Sequence, residues 1–219
     1  MKTLFIPARF IGKVRLKKSM IDKLPMSVGL VSTTQFLGSI SSIKKQIEDS
    51  GRRVFVGDSL QGSKGHILGC DVSSAKAVDS EINAFLYIGS GEFHPRGVAL
   101  ETERDIFMFN PITNRFTRLD KNEIKKYKMR KKSAYLRFLS AKSIGIIVST
   151  KQGQNNLLRA LELRKRLKEK NSYIFIFDTI DFRELENFPF IDAWVNTACP
   201  RIDEDIDCVT LSDIEAQIR

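Results

Sequence analysis

The sequence carries a strand signal at Ser27-Val-Gly-Leu-Val-Ser32, a stretch of small and apolar residues without a charge. A short, continuous apolar run of this kind is typical of a strand that is buried on both faces of a sheet. An amphipathic helical pattern follows from about Leu37 to Ser50, and Gly51 stands where a glycine commonly ends a helix. The stretch therefore predicts a strand–helix unit of an α/β fold with a parallel sheet.

Short apolar runs recur along the chain and predict further strands. They lie at Val54–Val56, Ala84–Ile88, Ile106–Phe109, Ile144–Val148, Tyr173–Phe177, Ala193–Val195 and Val209–Leu211. Helical patterns cover residues 121–141, which are highly charged, and residues 156–168. Because the two halves repeat the order of strand, polar turn, helix and strand, we predict two similar parallel-sheet lobes with a hinge near residues 120–142.

The length and composition suit a globular protein. The chain has 219 residues, of which 42% are hydrophobic, enough for two compact lobes of about 100 residues each. Its first apolar run, Thr3–Ile6, is interrupted by Pro7 and Arg9, so it is shorter than the roughly 7–15 apolar residues of a secretory signal. No window approaches the ~20 apolar residues of a membrane helix. We therefore expect a cytoplasmic protein without a membrane partner.

The charge is strongly positive. The net charge of +10, from 36 Lys and Arg against 26 Asp and Glu, favours an acidic partner. Basic residues concentrate at residues 121–132 and at Arg164–Arg166, where a solvated helical face is the other explanation. Nucleic-acid binding usually adds aromatic platforms or a recognition fold. The sequence shows neither, so an RNA-binding module is the weakest of the functions considered.

Five polar loops follow predicted strands. They are Ser32–Gln35, Gly65–Cys70, Gly89–Pro95, Ser149–Gly153 and Asn196–Arg201, all rich in small and hydroxyl residues. Ligands of open parallel sheets bind beyond the carboxyl ends of the strands, so we expect these loops to outline a shared cleft between the lobes. Each loop alone is a weak signal, since Gly89-Ser-Gly91 is equally consistent with a tight turn.

Three cysteines, odd in number and widely spaced, do not form a disulfide framework. Cys70 follows Gly69 and Cys199 precedes Pro200, a setting in which a thiolate is often presented to an iron–sulfur cluster. A buried, unligated cysteine is the alternative for both. Cys208 lies beside the last apolar strand, and core packing is the better interpretation there.

The two histidines stand near these loops. His94 lies in a glycine-rich loop before a helix, where it is a candidate acid–base group or ligand, or else a residue that caps the helix or stabilises the turn. His66 is expected to be exposed. No Ser-His-Asp, zinc or Walker-type constellation occurs in the sequence.

Six segments occur in a characteristic order. They are Gly-Leu-Val-Ser-Thr-Thr-Gln (29–35), Gly-His-Ile-Leu-Gly-Cys (65–70), Tyr-Ile-Gly-Ser-Gly-Glu-Phe-His-Pro (87–95), Phe-Asn-Pro-Ile-Thr (109–113), Gly-Ile-Ile-Val-Ser-Thr-Lys-Gln-Gly-Gln (145–154) and Val-Asn-Thr-Ala-Cys-Pro-Arg-Ile (195–202). This series resembles the archaeal 2-(3-amino-3-carboxypropyl)histidine synthase (diphthamide synthase) family over nearly the whole chain.

The resemblance implies a function. Members of this family have three similar α/β domains, each of which gives one cysteine to a 4Fe-4S cluster whose open iron binds S-adenosylmethionine. By a radical mechanism they transfer a 3-amino-3-carboxypropyl group to a histidine of elongation factor 2. By this resemblance, Cys70 and Cys199 are the cluster ligands of the second and third domains.

The resemblance also implies the residues that face the cluster and the nucleotide. They are Gln35, Gly89, Gly91, His94, Ser149, Thr150, Gly153 and Arg201. For Arg201, an ion pair with the methionine carboxylate is expected. No residue is assigned to proton transfer or another catalytic step.

The resemblance divides the chain into four parts. Residues 1–25 would be a remnant of the first domain, with its last strand at Leu4–Arg9 and a helix up to Leu24; residues 26–120 would be the second domain, 121–142 a basic connecting helix and 143–219 the third domain. The first-domain cysteine is absent. The third thiolate would therefore come from a second chain of the same family, from a homodimer or from Cys208, or no stable cluster would form.

The sequence departs from the family at one loop. The familiar Gly-Asp-Gly-Arg-Phe-His reads Gly-Ser-Gly-Glu-Phe-His here, so that Ser90 replaces a carboxylate and Glu92 replaces a cation. This departure favours an alternative function, a non-catalytic binding or regulatory subunit with a vestigial site, which would use the basic helix to dock on an acidic surface.

Overall fold

The computed structural model describes residue 4, residues 6–60 and residues 62–217, and the side chains of residues 216 and 217 are not considered. The chain divides into two compact units, Met1–Ile124 and Lys125–Arg219. Each unit holds its own sheet, and the two sheets have five and four strands. The predicted α/β class is confirmed.

The first unit is a five-stranded sheet with helices on both faces. Its elements are α1 (Lys18–Ile21), β1 (Ser27–Ser32), α2 (Ile40–Glu48), β2 (Arg53–Phe55), α3 (Ser73–Lys76), β3 (Ala84–Ile88), α4 (Phe93–Thr102), β4 (Asp105–Asn110) and β5 (Arg115–Arg118), with 3-10 turns at Thr34–Ser39 and Asp79–Glu81. The strand order is β2-β1-β3-β4-β5. The first four strands of this order are parallel, and β5 runs antiparallel to β4.

The strands of this sheet alternate between two apolar layers. In β3, Leu86 and Ile88 belong to the layer that also contains Ile43 of α2. Phe85 and Tyr87 belong to the opposite layer, which also contains buried residues of α3 and α4. Because both faces are covered, every position of β3 is apolar, which is why a continuous apolar run was the correct strand signal.

Strand β5 was not predicted. It forms a hairpin with β4 in which Asn110 pairs with Arg115. The turn is stabilised by the side chain of Asn110, whose Oδ1 accepts hydrogen bonds from the backbone N–H groups of Ile112 and Thr113 at 2.9 and 3.3 Å, and by the left-handed conformation of Asn114 (φ 53°). The polar sequence of β5 suits an edge strand but carries little apolar signal.

The second unit repeats the topology of the first. Its elements are α5 (Lys121–Ser140), most of which belongs to this unit, β6 (Ser143–Ser149), α6 (Leu157–Arg166), β7 (Asn171–Phe177), β8 (Ala193–Asn196), β9 (Cys208–Thr210) and α7 (Leu211–Gln217), with 3-10 turns at Phe182–Asn187 and Pro200–Glu204. The all-parallel strand order is β7-β6-β8-β9. Strand for strand this equals the β2-β1-β3-β4 order of the first unit, so the prediction of two similar lobes is confirmed.

The two faces of the second sheet are covered differently. On one face, Ile144 and Ile146 of β6 pack with Phe138 of α5 and Leu163 of α6. On the other face, the ring of Phe175 contacts the rings of Phe188 and Trp194, with centroids 4.6 and 4.9 Å apart. The chain between β7 and β8 contributes only a 3-10 turn, so aromatic side chains rather than an α-helix cover this face.

The highly charged helix α5 is the longest one described. Its buried residues are Ala134 and Phe138, while Lys131 pairs with Asp213 at 2.9 Å. Neither α5 nor any other helix in the described part of the chain is long and apolar enough to cross a membrane.

The N-terminal segment differs from its prediction. The strand expected at Leu4–Arg9 is not formed over the described residues 4 and 6–9, and the helix is a single turn, Lys18–Ile21. A strand needs a neighbouring strand for its backbone hydrogen bonds, and Pro7 lacks an N–H group. Further along, Gln46 of α2 holds the segment: its Oε1 accepts from the Leu16 N–H at 2.9 Å, and its Nε2 donates to the Val14 carbonyl at 3.2 Å.

One interior strand of each sheet carries a glycine opposite an aromatic ring. Gly29 of β1 is the register partner of Phe85, and Gly145 of β6 is the register partner of Trp194. A Cβ atom on Gly29 would lie 2.6 Å from the Phe85 ring, and one on Gly145 would overlap the Trp194 ring. Each glycine is therefore required because an aromatic side chain from the neighbouring strand occupies the space over it.

This packing gives a stability prediction with a matched control in the same unit. We expect Gly29→Ala to lower the free energy of unfolding by about 1–3 kcal/mol, since the Phe85 ring must move in a closely packed layer. Gly38→Ala, where nothing lies within 4 Å of the added atom, should be neutral or stabilising by up to about 1 kcal/mol. Thermal unfolding followed by circular dichroism checks both, and equal melting temperatures for the two variants would contradict the argument.

Candidate functional site

The strand order fixes where each unit can bind a ligand. In the first unit the chain passes from β1 to β2 on one side and later to β3 on the other, so the direction of winding changes between β1 and β3. The same change occurs between β6 and β8 in the second unit. Ligands of such sheets bind at this change, outside the carboxyl ends of the two strands. The predicted residues that directly follow these four strands are Gln35, Gly89, Gly91, His94, Thr150, Gly153, Cys199 and Arg201.

In the first unit, hydrogen bonds join the end of β3 to the end of β1 and to the loop that follows β3. The buried hydroxyl of Ser32 donates to the Ile88 carbonyl at 2.8 Å, and the Tyr87 hydroxyl donates to the Ser90 carbonyl at 3.2 Å. Burial raises the pKa of Tyr87 to about 12, against the opposing hydrogen bond with the Thr33 side chain, so the phenol stays protonated at neutral pH. Gln35 is exposed just beyond this point.

The segment that contains Cys70 comes back to the same edge of the sheet after β2. The Ser32 N–H donates to the Gly65 carbonyl at 2.8 Å and the Ile67 N–H donates to the Ser32 carbonyl at 2.9 Å, so this segment lies beside the end of β1. Leu68 and Asp71 then exchange backbone hydrogen bonds of 2.8 and 3.3 Å. Gly69 and Cys70 form the two-residue tip of this turn, where Cys70 is exposed.

The turn of Cys70 packs against the beginning of α4. A Cβ atom on Gly69 would overlap the Phe93 ring, so the absence of a side chain lets the ring lie on the turn. The half-buried His94 has its ring 5.3 Å from that of Phe93 and 6.4 Å from that of Tyr87. Gly91 adopts a left-handed conformation (φ 71°) that favours glycine. The first unit thus brings together the Cys70 turn, the Gly89–Gly91 loop and His94.

The expectation that His66 is exposed is wrong. Only 9% of the residue is accessible, and its Nε2 lies 2.9 Å from the Thr34 hydroxyl. Burial lowers the pKa of His66 below its usual value, against the opposing charge of Asp71, so the ring is neutral at physiological pH. The cause is the return of the chain beside β1, a non-local contact that the local sequence does not reveal.

In the second unit, the loop after β6 is joined to the loop after β8. The Asn156 side chain donates to the Thr197 carbonyl at 2.7 Å. The hydroxyl of Ser149 is buried and accepts from the Lys151 N–H at 3.1 Å, whereas exposed Thr150 donates to Asp178 at 2.9 Å. Gly153 lies further along the loop after β6, in a left-handed conformation (φ 80°). The hydroxyl of Ser149 therefore supports the loop, and that of Thr150 lies at the surface.

Cys199 lies three residues beyond the end of β8 and immediately before a 3-10 turn that begins at Pro200. It is half-buried, and its carbonyl accepts a hydrogen bond of 2.9 Å from the side chain of Asn196, the last residue of β8. Arg201 is exposed, with its guanidinium 3.8 Å from the Glu204 carboxylate. Cys199 therefore lies at the edge of the sheet, and its backbone is hydrogen-bonded to the last residue of β8.

Cys208 has a different environment. It is 3% exposed, and its thiol donates to Oδ1 of Asp203 at 3.2 Å. Burial, together with the carboxylate of Asp203, raises the pKa of Cys208. A thiolate there would lie buried beside another negative charge, so core packing is confirmed and ligation of a metal by Cys208 is disfavoured.

No group of three or more His, Cys, Asp or Glu residues within the described ranges could hold a metal ion. Each unit instead has one cysteine at this edge of its sheet, exposed Cys70 in the first and half-buried Cys199 in the second. A single thiolate does not hold an iron–sulfur cluster, which takes its ligands from several cysteines. Thiolates are the ligands that such a cluster takes, so Cys70 and Cys199 are donors of the right kind, and neither unit supplies enough of them by itself.

Comparison with known proteins agrees with the order of motifs. Residues 1–209 match the family model for putative diphthamide synthesis proteins. The chain is 34% identical over 212 residues to the 2-(3-amino-3-carboxypropyl)histidine synthase of Pyrococcus horikoshii, which covers 93% of this chain and 60% of the relative. It is 28% identical to the synthase of Methanocaldococcus jannaschii, over 92% of this chain and 56% of that protein.

The fold agrees as well. The crystal structure of Dph2 from Pyrococcus horikoshii with a 4Fe-4S cluster superimposes with a TM-score of 0.76 and 30% sequence identity, covering 92% of this chain and 60% of that one. The chain thus spans about 60% of the length of these relatives. With a family model that matches almost from end to end and a shared fold, the chain belongs to the diphthamide synthesis protein family.

Proposed function

We propose that the chain takes part in the first step of diphthamide synthesis, the transfer of a 3-amino-3-carboxypropyl group from S-adenosylmethionine to a histidine of elongation factor 2. The observation that carries the proposal is the presence of one cysteine beyond the carboxyl ends of the strands in each sheet, exposed Cys70 and half-buried Cys199, in a member of this family. The similar Pyrococcus horikoshii protein is named as a synthase of the modified histidine, and its structure is described with a 4Fe-4S cluster.

In this proposal Cys70 and Cys199 are two of the ligands of a 4Fe-4S cluster. Cys70 is exposed and Cys199 is half-buried, whereas the third cysteine of the chain, Cys208, is buried with its thiol hydrogen-bonded to Asp203. A bound cluster of this type supplies the electron for reductive cleavage of a carbon–sulfur bond of S-adenosylmethionine. Since a cluster with one open iron needs three thiolates, we propose that another chain of the same family, or a second copy of this one, contributes the third.

The remaining predicted residues would bind and orient the substrate. The exposed guanidinium of Arg201 would form an ion pair with the methionine carboxylate. Gly89 and Gly91 lack side chains and allow close approach to the backbone, and Thr150 offers a hydroxyl. These roles place substrate contacts on loops that rigid sheets support, as binding sites commonly are. The reaction would take place in the cytoplasm, where its protein substrate, elongation factor 2, is found.

The proposed division of the chain follows from the same assignment. Residues 26–120 and 143–219 would correspond to the second and third domains of the family, joined by the basic helix of residues 121–142. Residues 1–25 would be the remnant of the first domain.

The first test is the cluster itself. Reconstitution with iron and sulfide without oxygen, alone and with candidate partner chains, should give a brown protein, and Cys70→Ala and Cys199→Ala should each lose most of the bound iron. Iron and sulfide analysis with visible absorbance measures this.

Cys208→Ala is the matched control, because it also removes a cysteine but leaves both proposed ligands. It should retain the iron content of the wild type. A colourless protein in every pairing, or an equal loss in the Cys208 variant, would count against the assignment.

The second test is transfer. With S-adenosylmethionine labelled in its aminocarboxypropyl group and a one-electron reductant, the reconstituted assembly should label elongation factor 2. A factor whose target histidine is replaced should stay unlabelled, which mass spectrometry of the modified peptide checks.

We expect Arg201→Ala to lower this labelling at least tenfold at low S-adenosylmethionine, with partial recovery at saturation, because an ion pair to the substrate carboxylate is typically worth roughly 1.5–3 kcal/mol. Labelling that does not depend on Arg201 would remove this residue from the site.

A non-catalytic binding or regulatory subunit is the second candidate, favoured by one observation. Ser90 and Glu92 replace the carboxylate and the cation that the resemblance leads one to expect, and both are exposed at the loop after β3. In that case Cys70→Ser and Cys199→Ser should leave partner binding and modification of elongation factor 2 by the partner unchanged. A loss of modification in either variant selects the catalytic subunit instead.

A further inference from the structure

The loop that presents Cys199 is held by a buried polar network. Asn196 and Asp203 lie three residues before and four residues after the cysteine, and each is only 3% exposed. Their side chains are joined by a hydrogen bond of 3.0 Å from Asn196 Nδ2 to Asp203 Oδ1. Buried polar groups are costly unless they are satisfied, so their presence beside a half-buried cysteine at the edge of the sheet calls for an explanation.

We infer that Asn196 and Asp203 are a positioning pair that fixes the backbone presenting Cys199. The role of Cys199 as a ligand rests on the proposed function, whereas the restraint on its backbone follows from the hydrogen bonds alone. Neither residue contacts the cluster in this inference; they act through the loop.

The amide of Asn196 uses all of its polar atoms within this loop. Its Oδ1 accepts from the Ala198 N–H at 2.8 Å, and its Nδ2 donates to the Cys199 carbonyl at 2.9 Å as well as to Asp203. An N–H group faces the amide oxygen and two oxygens face the amide nitrogen, so asparagine fits where aspartate would place like charges together. The side chain thus restrains the backbone on both sides of the Ala198–Cys199 peptide.

Asp203 fixes the orientation of this amide. Its Oδ1 accepts from Asn196 and from the thiol of Cys208, while its Oδ2 is buried without a hydrogen bond and lies 3.7 Å from Nζ of Lys131. Lys131 is itself held by Asp213 at 2.9 Å. A buried carboxylate oxygen without a hydrogen bond costs stability, and the other oxygen of Asp203 holds the Asn196 amide that binds the Cys199 loop.

Thr197, two residues before Cys199, is anchored to the sheet as well. The Thr197 backbone N–H and hydroxyl both donate to the Ile147 carbonyl of β6, at 3.1 and 2.8 Å. Together with the bonds of Asn196, this leaves the segment from Thr197 to Cys199 little freedom, so a thiol on it is pre-organised for a ligand.

The three cysteines allow a test that needs no cluster. The full, cluster-free chain is treated with iodoacetamide, and the alkylation rate of each cysteine is measured by mass spectrometry of its peptide. Cys70, on the other unit, is the internal reference, and buried Cys208 reports any unfolding of the second unit.

Asn196→Ala should raise the rate at Cys199 relative to Cys70 about fivefold or more, because lost hydrogen bonds make local opening more frequent. Cys208 should stay protected. Asp203→Asn keeps an oxygen that accepts from Asn196 and Cys208. The ratio of the Cys199 rate to the Cys70 rate in this variant should therefore stay within about twofold of the wild type. Asn171→Ala is the matched control, because it makes the same substitution at an exposed asparagine of the same unit, and it should leave this ratio unchanged.

A merely structural role predicts a different pattern, in which the variants lower the melting temperature while the Cys199 to Cys70 ratio does not change. That pattern overturns the inference. An increase in the alkylation rate of Cys199 that is matched by an equal increase at Cys208 also overturns it, because it would report unfolding of the whole unit. If Asn196→Ala unfolds, Asn196→Asp is the second variant, since it keeps the acceptor for Ala198; unfolding of both contradicts a local role.

The outcome is independent of the proposed function. A wild-type chain that binds no iron with any partner removes the cluster assignment but leaves the labelling ratios as evidence for the restraint. An unchanged ratio in Asn196→Ala removes the restraint while iron binding by Cys70 and Cys199 remains open to its own test.

Discussion

The parallel pairing of one central strand with neighbours on both sides governs the rest of the structure. In each unit, β1 or β6 lies between two parallel strands, so all of these strands end at the same edge of the sheet. Every connection must leave from that edge and return by a crossover, and the loops there are therefore brought close together by topology alone. The glycines opposite Phe85 and Trp194 belong to the same constraint, because they let the central strand lie against an aromatic neighbour.

On this common frame the two thiols are presented in different ways. Cys70 lies at the tip of a hydrogen-bonded turn that packs, through Gly69, against the Phe93 ring. Cys199 lies on a loop whose backbone is bound by the buried amide of Asn196. The two positions are not equivalent in the repeated topology, since Cys70 lies on the connection after β2 and Cys199 on the one after β8. The repeat of the fold therefore did not dictate the placement of the cysteines.

The sequence predicted what depends on local composition. Strands such as β3 were found because burial on both faces requires an uninterrupted apolar run, and the resemblance placed the loops that follow them. Features that depend on distant contacts were missed: the burial of His66 beside β1, the edge strand β5 with its few apolar residues, and the role of Asp203, whose partners come from β8, β9 and α5. The N-terminal strand failed for the same reason, because its sequence carries an apolar run but the described chain offers it no partner strand.

The placement of one proposed ligand in each unit also bears on what a cluster could do for this protein. Each unit has its own apolar core, built from its own strands and helices, so neither depends on a metal to fold, in contrast to small zinc-binding domains. Under the proposed function, a cluster would therefore bind to units that are already folded, and its affinity would depend on how freely each cysteine moves before it binds. Restraint of the Cys199 backbone by Asn196 would favour binding, because a residue that is already held loses less conformational entropy when it binds.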